Sequence, residues 1–165
     1  MLIELILVAG MASAVAESDC LRFAEPVNIS RIRKHPQISA IQRVNNSKFH
    51  AVALLKNGGA LRIAHIACYD SGVSLALWTD GLQKLPKFAD VDAWLTRAIS
   101  AANIAFEPRM AAEFTEAVKA GTYKIHEQES RLEVSITGRH GSAFSMAVDS
   151  ELPGALLTID YLIKG

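Results

Sequence analysis

The chain has 165 residues, half of them apolar, with 17 basic and 17 acidic side chains. That length suits one domain with a hydrophobic core, and the composition excludes a disordered chain. The zero formal balance excludes a global field that would draw the protein to nucleic acid or to an anionic membrane.

The first sixteen residues read as an export signal. The run "LIELILVAGMASAVA" is apolar and then small, and Ala14-Val15-Ala16 forms an A-x-A cleavage site before Glu17. No Lys or Arg precedes the run, and Glu4 lies near its start; an upstream start would account for both. The run is too short for a convincing membrane span. The expected organisation is therefore a signal peptide over 1–16 and a single domain over 17–165. The location is periplasmic or secreted, with no stable membrane span after processing.

The mature chain opens with a polar, basic stretch. Leu21 to His50 carries Arg22, Arg31, Arg33, Lys34, Arg43 and Lys48 against Glu25 alone. Pro36 followed by Ile38, Ile41 and Val44 predicts a short helix that stops at Asn45-Asn46. Asn28-Ile29-Ser30 and Asn45-Asn46-Ser47 match the glycosylation sequon. In "FHAVALLKNGGALRIAHIAC", two apolar runs flank Asn57-Gly58-Gly59, a strong hairpin signal. Both faces of both runs are largely apolar, the pattern of strands covered on two sides. Gly72 then breaks the chain, "VSLALWT" is a third strand and "DGLQKLPKF" is a loop.

Two helices follow. The first has Asp90 as N-cap and Asp92 in its first turn, where the helix dipole favours anions. Val91, Trp94, Leu95, Ala98 and Ala102 form its buried stripe. The second begins at Pro108 and ends before Gly121, with Met110, Phe114, Ala117 and Val118 facing the core.

The last third is a four-strand meander whose registers follow from alternation. A three-residue loop at Arg139-His140-Gly141 sets Ile136 opposite Phe144 and Val134 opposite Met146. The same logic pairs Ile125 with Val134 and Val148 with Leu157. One face, including Tyr123, Ile125, Val134, Met146, Ile159 and Tyr161, belongs to the core. The other, including Lys124, His126, Glu133, Ser135, Ser145 and Asp160, belongs to water. The whole is an α+β domain with an antiparallel β-sheet of about seven strands, in the order βββααββββ, and two helices packed on one face.

Few residues suggest chemistry. Cys20 and Cys68 are the only cysteines, and in an oxidising compartment they are expected to pair. Such a bridge would stabilise by roughly 4 kcal/mol through loop closure. His65 and Cys68 would point to opposite faces of a strand, so a nucleophile–base pair is disfavoured. His50 and His65 are weak metal candidates. They face each other if Asn57-Gly58 are the central turn residues, but not if Gly58-Gly59 are. No dinucleotide, Walker, H-E-x-x-H or C-x-x-C motif is present, and no cofactor is expected. Arg31, Arg33 and Lys34 form the local positive excess and are the expected binding residues. The partner they fit is an acidic protein or an envelope polyanion; nucleic acid would want more charge. The leading expectation is an exported, non-enzymatic binding domain, such as an inhibitor or envelope-accessory protein. The alternatives are a small hydrolase or metal enzyme using His50 and His65, and a membrane-tethered accessory protein with an uncleaved N-terminus.

Overall fold

The computed structural model describes residues 24–67, 71–79, 85–128, 130–139, 142–149 and 154–163. The expected signal peptide and the Cys20–Cys68 bridge therefore lie outside the described residues. Eight strands form one antiparallel sheet: β1 (Ile38–Arg43), β2 (His50–Leu55), β3 (Ala60–Ala67), β4 (Ser71–Thr79), β5 (Tyr123–Gln128), β6 (Arg131–Thr137), β7 (Ser142–Asp149) and β8 (Ala155–Ile163). Their spatial order is β1-β2-β3-β4-β8-β7-β6-β5. Among the described residues three helices, α1 (Ile29–Arg33), α2 (Val91–Ala105) and α3 (Pro108–Lys119), accompany the sheet. The α+β class holds, with one more strand and one more helix than expected.

The order has a simple logic. Each half of the chain supplies helix first and then a four-strand meander. Within each meander every strand pairs with its neighbour in sequence. The halves meet along one seam, β4 against β8, with Val73 opposite Tyr161, Leu75 opposite Ile159 and Leu77 opposite Leu157.

The extra strand replaces the short helix expected after Pro36. Ile38 and Ile41 are both buried although three residues apart. The cause is a bulge between Ile38 and Ala40, where the pairing with β2 shifts. One extra residue reverses the alternation, so a spacing of three served a strand. Helix α1 lies upstream instead, and its N-cap is Asn28, whose side chain accepts from Arg31 N at 3.1 Å. That first sequon match is a capping residue. Asn45 and Asn46, at φ 49° and 58°, turn the chain from β1 to β2, a conformation Asn tolerates well.

The longer helices form as their sequences require. Asp90 caps α2 by accepting from Ala93 N at 3.1 Å. Trp94, Leu95, Ala98 and Ala102 are buried as expected, with Val91 partly so. Pro108 is the first residue of α3, and Gly121 follows its end at φ 67°. Helix α2 packs over β4 and β8, α3 over β6, and α1 against β1. Beneath them Phe106, Phe114, Phe144 and Tyr161 form one ring cluster with centroids 4.7 to 6.3 Å apart. Each such pair adds roughly 0.5–1.5 kcal/mol beyond its buried area.

In the meander, Ile136 opposes Phe144, Val134 opposes Met146, Ile125 opposes Val134 and Val148 opposes Leu157, all as expected. Ile125 departs in burial: it lies on the helix side but is 46% exposed, because β5 is the sheet edge and no helix covers it there. Gly72 is also corrected. It sits inside β4, between Ile66 and Leu162. A Cβ there would stand 2.6 Å from the Tyr161 carbonyl oxygen and 2.9 Å from Leu162 Cδ2. Its lack of a side chain lets Leu162 lean across it.

Candidate binding surface

The three predicted cations are not one surface. Arg33 and Lys34 are exposed. Arg31 turns inward, and its Nη2 donates to the Ala105 carbonyl at 2.8 Å. Ala105 is the last residue of α2, so a guanidinium meets the negative end of a helix dipole. Its Nε lies 3.7 Å from Glu107 Oε1 and is buried without a hydrogen bond. Arg31 is a clip between α1 and the α2–α3 connection. The sequence hid this because the contact spans 74 positions.

His50 and His65 are separated. Their hairpin uses neither expected register: Leu54 opposes Ala60, and His50 opposes Ala64. Leu55 N donates to Gly59 O, and Gly58 N to Leu55 O. A three-residue loop results, with Gly58 at φ 91° in the left-handed position such a loop needs. Opposed residues share a face and adjacent ones do not, so His65 lies on the helix side and His50 on the other. His65 Nδ1 is 2.6 Å from the Glu25 carbonyl oxygen. A carbonyl only accepts, so Nδ1 carries the proton. Burial lowers the His65 pKa below 6.5; the Glu25 carbonyl contact and the Glu107 and Glu25 charges oppose that, and His50 adds to it. The contact holds the incoming chain, as does Val27 N donating to Lys48 O at 2.9 Å. Among the described residues, no three His, Cys, Asp or Glu side chains lie close enough to share a metal ion.

A polar cluster that the sequence did not reveal clamps α3 to the β6–β7 hairpin. Glu113 Oε1 accepts from Arg139 N at 2.8 Å and closely from the buried Ser142 hydroxyl. Arg139 Nη2 meets Glu116 Oε2 at 2.9 Å. Burial, then the Glu113 charge, raises the Tyr161 pKa above 10.0, against smaller opposing effects of Ser142 and Arg109. A side chain at Gly138 would collide with the Ser142 hydroxyl and come within 2.7 Å of Glu113 Oε1. The arrangement reads as a hairpin anchor.

The largest unexplained feature is the sheet face away from the helices. Both faces of β2 and β3 were expected to be covered, but among the described residues helices cover only one. On the open face Leu54, Ile66 and Leu162 are 50%, 45% and 43% exposed, with Val52, Trp78 and Leu156 half-buried beside them. The pairings place them in rows. Leu54, Ala60, Trp78 and Leu156 cross β2, β3, β4 and β8, followed by Val52, Arg62, Ala76 and Thr158, and then His50, Ala64, Ser74 and Asp160. Ile66, Gly72 and Leu162 form the end row. Beyond β8 the character changes: Ser145, Ser135 and Lys124 continue one row, and Ala147, Glu133 and His126 another. A shallow hollow of about 230 Å³ lies there, lined in part by Ser135, Thr137, Ser145, Asp160 and Leu162. The wet face expected of the meander is present, beside a half-apolar face that was not expected to be open.

Comparison with protein-family models, with curated proteins and with solved structures found no match for this chain.

Proposed function

We propose that this chain is an exported, non-catalytic binding domain whose recognition surface is the open face of β2, β3, β4 and β8. One observation carries the reading. Leu54, Ile66 and Leu162, each over two-fifths exposed, stand on a single sheet face with Trp78 and Leu156. They form two apolar end rows, with Val52, Arg62, His50 and Asp160 in the rows between, and exposed apolar side chains gathered on one face commonly mark an interaction site. Export is supported by the apolar run and the A-x-A site ahead of Glu17. Among the described residues no helix is long and apolar enough to cross a membrane. Arg33 and Lys34, exposed on α1 and its cap, supply a second and weaker contact that steers an acidic partner. Arg31 no longer belongs to it.

Two measurements test the reading. Intact mass of protein recovered from periplasm or medium should correspond to cleavage after Ala16; a full-length mass in the cytosolic fraction would refute export. Partners cross-linked in an envelope extract should be lost from a Leu54→Asp/Ile66→Asp protein and retained by Arg33→Glu/Lys34→Glu. The reverse pattern would move the surface to α1.

A further inference from the structure

We infer that the open face of β2, β3, β4 and β8 packs against the same face of a second copy of this chain, giving a four-layer α/β/β/α dimer. The inference rests on the reading of that face as the binding surface and names its occupant. Four observations point to a second copy.

The first is the sequence pattern. Runs of residues apolar on both faces belong to strands covered on both sides, and among the described residues the helices cover only one. The second is size. A two-fold axis parallel to the strands, between β3 and β4, overlaps six strands of each sheet, β1 to β4 with β8 and β7. At ~4.8 Å between strands and ~24 Å of length, that overlap is roughly 700 Å² per partner, close to the ~800 Å² of a standard interface.

The third is self-complementarity. About this axis β3 of one copy lies over β4 of the other, and β2 over β8. Within the aligned packing of two twisted sheets, Trp78 then meets the partner subunit's Ala60, a large side chain over a small one. Leu54 meets the partner subunit's Leu156, and His50 meets the partner subunit's Asp160. Each contact occurs twice, as an isologous interface requires. The fourth is the position of the polar boundary. The strands left outside the overlap are β6 and β5, whose open-face residues include Glu133, Ser135, Lys124 and His126. The overlap covers Leu54, Trp78, Leu156, Ile66 and Leu162 together with the exposed Arg62 between them, and the more polar face of β6 and β5 stays in water. An unrelated partner would not require the face to match itself about an axis through its apolar half.

Sedimentation of the full chain across the micromolar range tests this. The expected result is about twice the chain mass of 17.9 kDa, less any processed segment, with reversible dissociation on dilution. Leu54→Asp/Ile66→Asp should be monomeric with unchanged far-ultraviolet circular dichroism, since both side chains are about half exposed in one copy. Trp94 is buried within one copy, so increased fluorescence quenching on dilution reports Trp78. A gentler variant, His50→Asp, sets two carboxylates against each other and should weaken the dimer by about tenfold; adding Asp160→Lys should restore it. A single-chain mass at every concentration overturns the dimer, and so does an unchanged dimer in Leu54→Asp/Ile66→Asp. If the wild type is monomeric yet loses a cross-linked envelope partner in that double variant, the dimer fails and the binding reading stands. If neither is observed, both fail.

Discussion

Replacing Arg31 by alanine separates a structural clip from a recognition patch. Its guanidinium donates to the Ala105 carbonyl at 2.8 Å in a partly buried setting. A hydrogen bond from a charged donor contributes roughly 1.5–3 kcal/mol, and a cation at a helix C-terminus adds about 0.3–1 kcal/mol. The Glu107 contact, at 3.7 Å with that carboxylate nearly half exposed, adds little. Truncation also removes the buried Nε that makes no hydrogen bond, which offsets part of the loss. The net expectation is a loss of about 2 kcal/mol. With a urea slope of about 2 kcal/mol/M for a domain of this size, the midpoint falls by about 1 M. Arg33→Ala and Lys34→Ala, both exposed, should stay within about 0.5 kcal/mol of wild type. Equilibrium urea unfolding of the three variants is the assay. An Arg31→Ala midpoint indistinguishable from those of the other two would refute the clip and return Arg31 to the surface.

Gly72→Ala should destabilise by about 1–3 kcal/mol, because the new methyl meets the Tyr161 backbone 2.6 Å away; thermal unfolding unchanged by the substitution would deny that close approach. Stability should fall as pH drops below about 6.5, since the unfolded chain takes up a proton at His65 before the folded chain, whose pKa is lowered by burial. His65→Gln should flatten urea midpoints measured between pH 7.5 and 5, and an equal slope in variant and wild type would sink this assignment. Glu113→Ala leaves the Arg139 N–H and the Ser142 hydroxyl without their carboxylate acceptor and should cost about 1–3 kcal/mol. Hydrogen exchange should quicken first in the β6–β7 hairpin, and uniform quickening would argue against a local anchor.

The registers of the C-terminal meander were legible, because β6 and β7 alternate strictly and a three-residue loop fixes parity between Ile136 and Phe144; the exposure of Ile125 at the sheet edge was not. The two longer helices were legible from Asp90, Pro108 and Gly121, whose roles are local; α1 was not. What failed was non-local or parity-breaking. Ile38 and Ile41 share a face through a bulge, which no count of spacings distinguishes from a weak helix. The first hairpin took a loop of three residues where Asn57-Gly58 suggested two, and one residue of slip sent His50 and His65 to opposite faces. Arg31 looked solvated because its partner, Ala105, is a backbone carbonyl in another element. The apolar character of both faces of β2 and β3 was read correctly. The coverage inferred for both was not, because hydropathy records the demand for a cover and not which molecule supplies it.

The single seam between β4 and β8 also bears on how the chain folds. Every other strand pair joins neighbours in sequence, so each meander can zip from its own turns, whereas Leu75 and Ile159 must meet across most of the intervening chain. Closing a loop costs entropy that grows only slowly with its length, and here a closure of that reach happens once. The aromatic cluster of Phe106, Phe114, Phe144 and Tyr161 lies wholly within the second half, whereas Leu75 and Leu77 of the first half meet Ile159 and Leu157 only at the seam. Docking along β4 and β8, the one strand pairing distant in sequence, is the step expected to limit folding, and substitutions at Leu75, Leu77, Leu157 and Ile159 are expected to slow it more than substitutions in the outer strands. A ribosome releasing this chain leaves β4 an open edge until β8 has been made, which is the interval in which the protein is most exposed to pairing with the wrong strand.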